Sequence, residues 1–229
     1  GNLKDFNRFY QVPLSQHPEG ETADRLRELI QPYVLRRTKE EVAPELPKII
    51  DTIAWCSMSD DQQAIYESEK SKIRNEILNI IPKAGLSRSV PVVLRALMRL
   101  RQIASHPKMF DSGYQSDSGK FDDVTSKLET ILSENHKVLV FSSFVKHLAI
   151  FESWCQEKEI QYALLTGATG KREEAINRFR KHSDVRLFLI SLKAGGVGLN
   201  LTEADYVFML DPWWNPAAEM QAISRAHRI

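Results

Sequence analysis

Four short apolar runs, Val138 to Phe141, Tyr162 to Leu165, Val185 to Ile190 and Tyr206 to Leu210, alternate with stretches of helical pattern in the second half of this 229-residue chain. Uninterrupted apolar runs mark strands covered on both faces. Strands of that kind separated by helices form βαβ units in a parallel sheet, joined by right-handed crossovers. The expected fold class is therefore α/β, a parallel sheet flanked by helices. Ligands of such sheets bind beyond the carboxyl ends of the strands, where the loops at Ser142, Thr166 and Ser191 fall.

The first half of the chain reads differently. Residues 1 to about 50 read as helices separated by Pro32, Pro44 and Pro47, with Thr38 and Glu41 spaced for a capping box. Ile49 to Cys56 reads as a short strand. Ser59-Asp60-Asp61-Gln62 then opens a helix with a second capping-box pattern, and Tyr66, Ile73, Ile77 and Ile80 form its apolar face. Another helix is expected over Pro91 to Ala104, with Leu94, Leu97, Met98 and Ile103 on its buried side. The polar, glycine-bearing stretch from Asp111 to Lys120 is the best internal boundary. Three segments follow: 1–50, 51–115 and 116–229.

Composition narrows the function classes. With 42% hydrophobic and 27% charged residues the chain belongs with globular proteins, and it has no apolar run of about 18 residues to span a membrane. Nothing at the start reads as a signal peptide. Cys56 and Cys155 are far apart and lack metal-site spacing, which argues against a disulfide or zinc site and for a reducing compartment. No metal ligands are assigned. A net charge of +1 gives no global case for nucleic acid, so a basic surface must be local. Between Ile77 and Phe110 the chain has Lys83, Arg88, Arg95, Arg99, Arg101 and Lys108 but no acid. That stripe either lies along a phosphate backbone or pairs with acids elsewhere in the fold. His106 reads as a helix-end hydrogen-bonding residue.

The chemistry concentrates near the end of the sequence. Gly195, Gly196 and Gly198 let the backbone take positive φ and approach a ligand, and successive N–H groups in such a loop make an anion-binding concavity. The plain alternative is a tight turn. On a helix beginning near Pro216, Gln221, Arg225 and Arg228 are spaced by four and three residues and share one stripe. An amide and two guanidiniums on one face suit a transferring phosphoryl group, whose equatorial oxygens need spread-out positive charge. A solvated helix face is the alternative.

Taken in order, these motifs resemble the Swi/Snf family of helicase-like, DNA-translocating ATPases of superfamily two. Val138 to Phe144 resembles motif IV of the second RecA-like lobe, Ser191 to Leu201 motif V, and Gln221 to Ile229 motif VI. Phe6 to Leu14 resembles the end of the first lobe, Tyr33 to Lys39 the signature before the crossing, and Leu100 to Pro107 a further family signature. The resemblance implies a RecA-like second lobe over 116–229, a protrusion and brace over 51–115, and a connector from the first lobe over 1–50. It also suggests that the chain is cut at both ends, its last residues falling inside motif VI.

Such an ATPase needs a P-loop for the phosphates and an acidic pair for magnesium. The closest imitation, Thr166 to Arg172, has the wrong glycine spacing and an arginine where the metal-ligating hydroxyl belongs. The resemblance therefore implies a half-site. Arg225 and Arg228 act catalytically as arginine fingers, and Gly195, Gly196, Gly198 and Gln221 contact nucleotide. ATP and Mg2+ are used only by the complete two-lobe motor, so this fragment is inactive alone. Ser143, Lys146, Thr166, Gly167, Ser191 and Lys193 are the candidate phosphate contacts, by hydroxyl, ammonium and loop N–H groups that read no bases. Trp214, in Asp211-Pro212-Trp213-Trp214-Asn215-Pro216, is placed near DNA by the resemblance, with packing on the sheet edge as the alternative.

The partners implied are double-stranded DNA, the first RecA-like lobe of the same polypeptide and a DNA-bound protein target, with no membrane. The setting implied is intracellular, in cytoplasm or nucleoid if bacterial and in the nucleus if eukaryotic. Two rival readings stay open: a non-catalytic DNA-binding or interaction module that keeps the fold, and a strand-separating helicase of the same superfamily.

Overall fold

The computed structural model describes residues 2–35, 37, 41, 48–116, 118–195, 199–212 and 216–224. The chain falls into two compact units, residues 1–47 and 48–229. The first unit holds three helices, α1 (Leu3–Phe6), α2 (Val12–Gln16) and α3 (Glu21–Ile30), with a π-helical turn joining α1 to α2. Asn2 caps α1 by accepting from the Asp5 N–H at 2.9 Å. Thr38, Pro44 and Pro47 lie outside the described residues.

The second unit opens with an extended segment, not the strand expected over Ile49 to Cys56. Residues 48–59 have no ladder partner among the described residues, and Ile50 and Trp55 are 92% and 91% exposed. Alternating β-branched residues favour extended backbone, but a strand also needs a neighbour. Two long helices follow, α4 (Asp60–Ala84) and α5 (Leu86–Ser105), packed side by side. Ser59 caps α4, accepting from the Gln62 N–H at 3.4 Å. The capping box is only half made, because the Gln62 side chain turns inward instead. Fully buried, its amide donates to Ile103 O at 2.8 Å and its carbonyl accepts from Gly119 N at 3.3 Å.

Helix α5 begins five residues before Pro91, after Gly85 at φ +76°, and carries the proline inside at the cost of one backbone bond. Its buried line agrees with the expected one at Ile103, with Met98 half-buried, and departs from it elsewhere. Leu94 and Leu97 are 50% and 39% exposed, whereas Ser89, Ala96 and Ile103, spaced by seven, are buried. The seven-residue repeat with a serine and an alanine in it is the spacing of closely packed antiparallel helices. The apolar face expected on α4 does turn inward, with Ile73 buried and Tyr66, Ile77 and Ile80 half-buried.

Beyond a turn at 111–118, α6 (Gly119–Ser133) leads into the sheet layer: β1 (Val138–Ser142), α7 (Val145–Glu157), β2 (Tyr162–Leu165), α8 (Arg172–Lys181), β3 (Leu187–Ser191), the single turn α9 (Leu192–Gly195), β4 (Tyr206–Met209) and α10 (Pro216–Ile223). The four strands stand in the order β2-β3-β1-β4, every pairing parallel. All five residues of β1 and of β3 are buried. Because side chains alternate across a strand, Val138 and Val140 join one core with Leu128, Leu148 and Phe151 from α6 and α7, while Leu139 and Phe141 join the other with Phe179 from α8 and Leu201. The result is a three-layer α/β fold. Ser118 fixes its start by capping α6 and donating to Ser105 O at 3.0 Å, which ties α6 to the end of α5.

Candidate functional site

The register of the sheet brings the predicted loops together. Ser142 of β1 stands opposite Ser191 of β3, and Leu165 of β2 opposite Ile190, so Thr166 is level with Ser191. Strands lie about 5 Å apart, which puts Thr166, Ser191 and Ser142 within a span of about 10 Å at the carboxyl edge. Residues separated by up to about fifty positions thus share one rim.

Thr166 and Ser191 are nearly buried, at 9% and 4% exposure. Both hydroxyls accept backbone N–H groups of their own loops: Thr166 Oγ1 from Ala168 at 3.3 Å, Ser191 Oγ from Ala194 at 3.4 Å. Neither hydroxyl donates to another described residue. Thr169 Oγ1 closes the turn after β2 by accepting from Thr166 N at 2.9 Å. Gly167 is exposed, with open space where a Cβ would stand, and Lys193 is exposed on α9.

The loop after β1 is organised by a residue from another strand. Asp211, two residues past β4 and 1% exposed, accepts from five donors. His147 Nδ1 and Ser105 Oγ reach Oδ1 at 3.1 and 3.2 Å. The Ser142 hydroxyl, Ser143 N at 2.9 Å and Ser143 Oγ at 3.3 Å reach Oδ2. Burial alone pushes the Asp211 carboxyl up, but the hydrogen bond and charge of His147, with the bonds from Ser142 and Ser143, outweigh it and hold the pKa at about 2. Ser143 is therefore bonded inward and half-buried. Lys146 is exposed on the first turn of α7, with Nζ 3.4 Å from Met109 O.

Sequence reasoning did not single out Asp211 or His147 as partners. The signal was present for His147, which falls on the apolar stripe of α7 with Leu148, Phe151 and Cys155; a histidine on such a stripe is buried and must find a partner.

The basic stretch resolves toward pairing for two of its members. Arg99 reaches Glu69 at 3.3 Å, and Arg101 donates to Pro212 O while stacking 5.5 Å from the Phe144 ring centroid. Arg95 and Lys108 are exposed, and the side chains of Lys83 and Arg88 lie outside the described residues. His106 ends α5 as expected, Nδ1 accepting from Lys108 N at 3.2 Å. Cys56 and Cys155 are free thiols, and burial drives that of Cys155 up to about 12.

Gly195 does not adopt the positive φ expected of it. It ends α9 buried under Phe141 and Ile190, where an added Cβ would lie 3.0 Å from the Phe141 ring, so close packing is its reason for being glycine. Gly196, Gly198, Trp214, Arg225 and Arg228 lie outside the described residues. Gln221 lies on the expected helix α10, its side chain outside the description. No group of three acids, histidines or cysteines among the described residues fits a metal ion. No described helix is long and apolar enough to cross a membrane.

The chain matches the helicase conserved C-terminal domain over residues 120–229 and the SNF2-related domain over residues 1–109. It is 34% identical to the chromatin remodeling factor mit1 of Schizosaccharomyces pombe, over 91% of this chain and 16% of that protein. The chain spans between 16% and 25% of the length of the curated relatives it matches. Two solved structures align with all of it and with 48% of their own chains, each at 28% identity. They are the Sulfolobus solfataricus SWI2/SNF2 ATPase core domain, with a TM-score of 0.70, and the same organism's SWI2/SNF2 ATPase core in complex with dsDNA, with a TM-score of 0.67.

Proposed function

The chain belongs to the Swi/Snf family of superfamily-two helicase-like ATPases, and on that premise we propose that its sheet layer is the second motor lobe of an ATP-dependent translocase on double-stranded DNA. The observation that carries the reading is the rim at the carboxyl edge of the sheet. Thr166 and Ser191 set two hydroxyls at neighbouring strand ends, accompanied by the open Gly167 backbone and the exposed Lys193. Hydroxyls, an ammonium and loop N–H groups hold phosphate oxygens without reading bases, as a sequence-indifferent motor requires. The similarity to a core solved with dsDNA supports a role on duplex DNA. Lys146 extends the contact along the β1 loop and Trp214 adds a ring beside the backbone, whereas Ser143, expected to touch phosphate, commits both its N–H and its hydroxyl to Asp211.

In this reading Arg225 and Arg228 of motif VI stabilise the transferring phosphoryl group, and Gln221, Gly196 and Gly198 order the nucleotide. Gly195 acts through packing. No group among the described residues fits a magnesium ion and the sequence carries no P-loop motif, so both are assigned to a first lobe. Closing that lobe on the arginines moves the rim along the DNA by a step, against a DNA-bound protein as the load. The connector, the protrusion and brace, and the motor lobe correspond to segments 1–50, 51–115 and 116–229.

The test is ATP hydrolysis by the full polypeptide, with and without duplex DNA, compared with its Arg228→Ala variant. DNA-stimulated turnover that falls by about a thousandfold or more in the variant, with ATP still bound, is the expected result. Residues 1–229 alone should hydrolyse no ATP. Turnover absent from the intact protein would favour a non-catalytic binding module, and strand displacement from a tailed duplex would favour a helicase.

A further inference from the structure

The Asp211 cluster joins three parts of the chain that are remote in sequence. Its donors come from the end of α5 (Ser105), the loop after β1 (Ser142, Ser143) and the first turn of α7 (His147). Two further bonds run along the same seam: Lys120 Nζ to Leu210 O at 3.1 Å, and Arg101 to Pro212 O. Arg101 meanwhile stacks on Phe144, the last residue of the β1 loop. The peptide from Leu210 to Pro212 is thus gripped from the helical pair on one side and from the β1 loop on the other.

We infer that Asp211 is a positioning residue that locks the phosphate-facing loop after β1 to the end of helix α5, so that the helical pair and this part of the rim move as one body. The inference rests on the proposed DNA role of the rim. Geometry carries it. Asp211 has no lone pair turned toward the rim, since both oxygens accept from inside the protein, so it touches neither DNA nor nucleotide itself. It holds Ser143 by two bonds, and Ser143 N is the first backbone amide of the loop. His147 has this carboxylate as its one polar anchor: its ring is fully buried, and Nε2 meets no partner among the described residues. Removing Asp211 therefore frees the β1 loop, the α7 turn and the α5 end together. A core carboxylate used only for stability would not need donors from each of the elements that must move in concert.

Three variants in the full polypeptide test this. His147→Leu deletes the ring donor, His147→Asn restores an N–H close to the Nδ1 position, and Ser105→Ala cuts only the link to α5. The quantity read is the duplex concentration giving half-maximal stimulation of ATP hydrolysis, beside kcat at saturating DNA. His147→Leu is expected to raise that concentration about tenfold while kcat changes much less, with His147→Asn recovering most of the loss. Ser105→Ala should uncouple translocation from hydrolysis: stimulation is kept, but triplex displacement per ATP falls. A lowered melting temperature with unchanged DNA concentration dependence, unrescued by His147→Asn, would overturn the inference and leave a merely structural cluster. Failure of the underlying reading looks different, since the wild-type protein would then show no stimulation by DNA. Should His147→Leu not fold, Ser105→Ala carries the test, and unaltered displacement per ATP in that variant overturns the lock.

Discussion

Two loops at the same edge of the sheet are held in opposite ways. The turn after β2 is closed by its own residues: Thr166 and Thr169 exchange bonds over a three-residue span, and the Cβ positions of Gly167 and Gly170 face open space. The loop after β1, besides the local bonds between Ser142 and Phe144, donates to Asp211, 68 positions from Ser143, and is braced by α5 and α7. A locally closed turn can reshape without disturbing the core. A loop tied to a buried carboxylate cannot, and any change in it is felt in the helical pair. On the proposed reading, the difference separates a part of the rim suited to adapt to a DNA backbone from a part suited to transmit force.

The comparison breaks most visibly if Asp211 is removed. Asp211→Ala leaves the buried His147 and Ser105 donors without their acceptor and strips Ser143 of both its bonds, at a cost of roughly 2–4 kcal/mol. Hydrogen exchange should show the amides of 138–144 losing protection by that amount while those of Thr166 to Thr169 stay as they were; equal losses in both loops would erase the distinction. Acid is a milder probe. The Asp211 carboxyl is depressed in the fold, so its stabilisation is complete above the unfolded value near 4 and disappears as pH falls toward about 2. The contribution at stake is about 2 kcal/mol. Exchange-protected amides of the β1 loop should open over that window, and Asp211→Asn should flatten the dependence.

Thr169→Val sharpens the other half. It removes one acceptor from an exposed turn and should cost no more than about 1 kcal/mol, while the affinity for duplex falls without any change at β1. The smallest effect belongs to Lys193→Ala. It leaves stability untouched and lowers the slope of log affinity against log salt by about 1, the signature of one lost phosphate contact.

The sheet was legible in the sequence because strands buried on both faces leave unbroken apolar runs, and all four were found within two residues of their ends. The rim was legible for the same reason, since strand ends mark it. What stayed hidden depends on partners. Ile49 to Cys56 has the composition of a strand, yet strand formation is decided by a neighbour that local pattern does not report. Leu94 and Leu97 sit at helical spacing, but the line of α5 that is buried runs through Ser89, Ala96 and Ile103, where a serine and an alanine permit closer approach of a neighbour than two leucines. The Asp211–His147 pair joins residues that nothing in sequence brings together; only the stripe on α7 hints at it.

The strand order β2-β3-β1-β4 has a consequence for how the chain reaches this state. Strand β1 is made first and sits between two neighbours that are both made later, β3 roughly fifty residues on and β4 roughly seventy. During synthesis at about 5–20 residues per second, its four apolar residues wait several seconds for a neighbouring strand. Of the elements that pack on the sheet, α6 and α7 are at hand to cover one face of β1, Val138 and Val140, through Leu128, Leu148 and Phe151. The apolar stripes of those two helices thus serve the nascent chain before they serve the finished one, as a temporary shelter in which a solitary strand stays soluble until its ladder arrives.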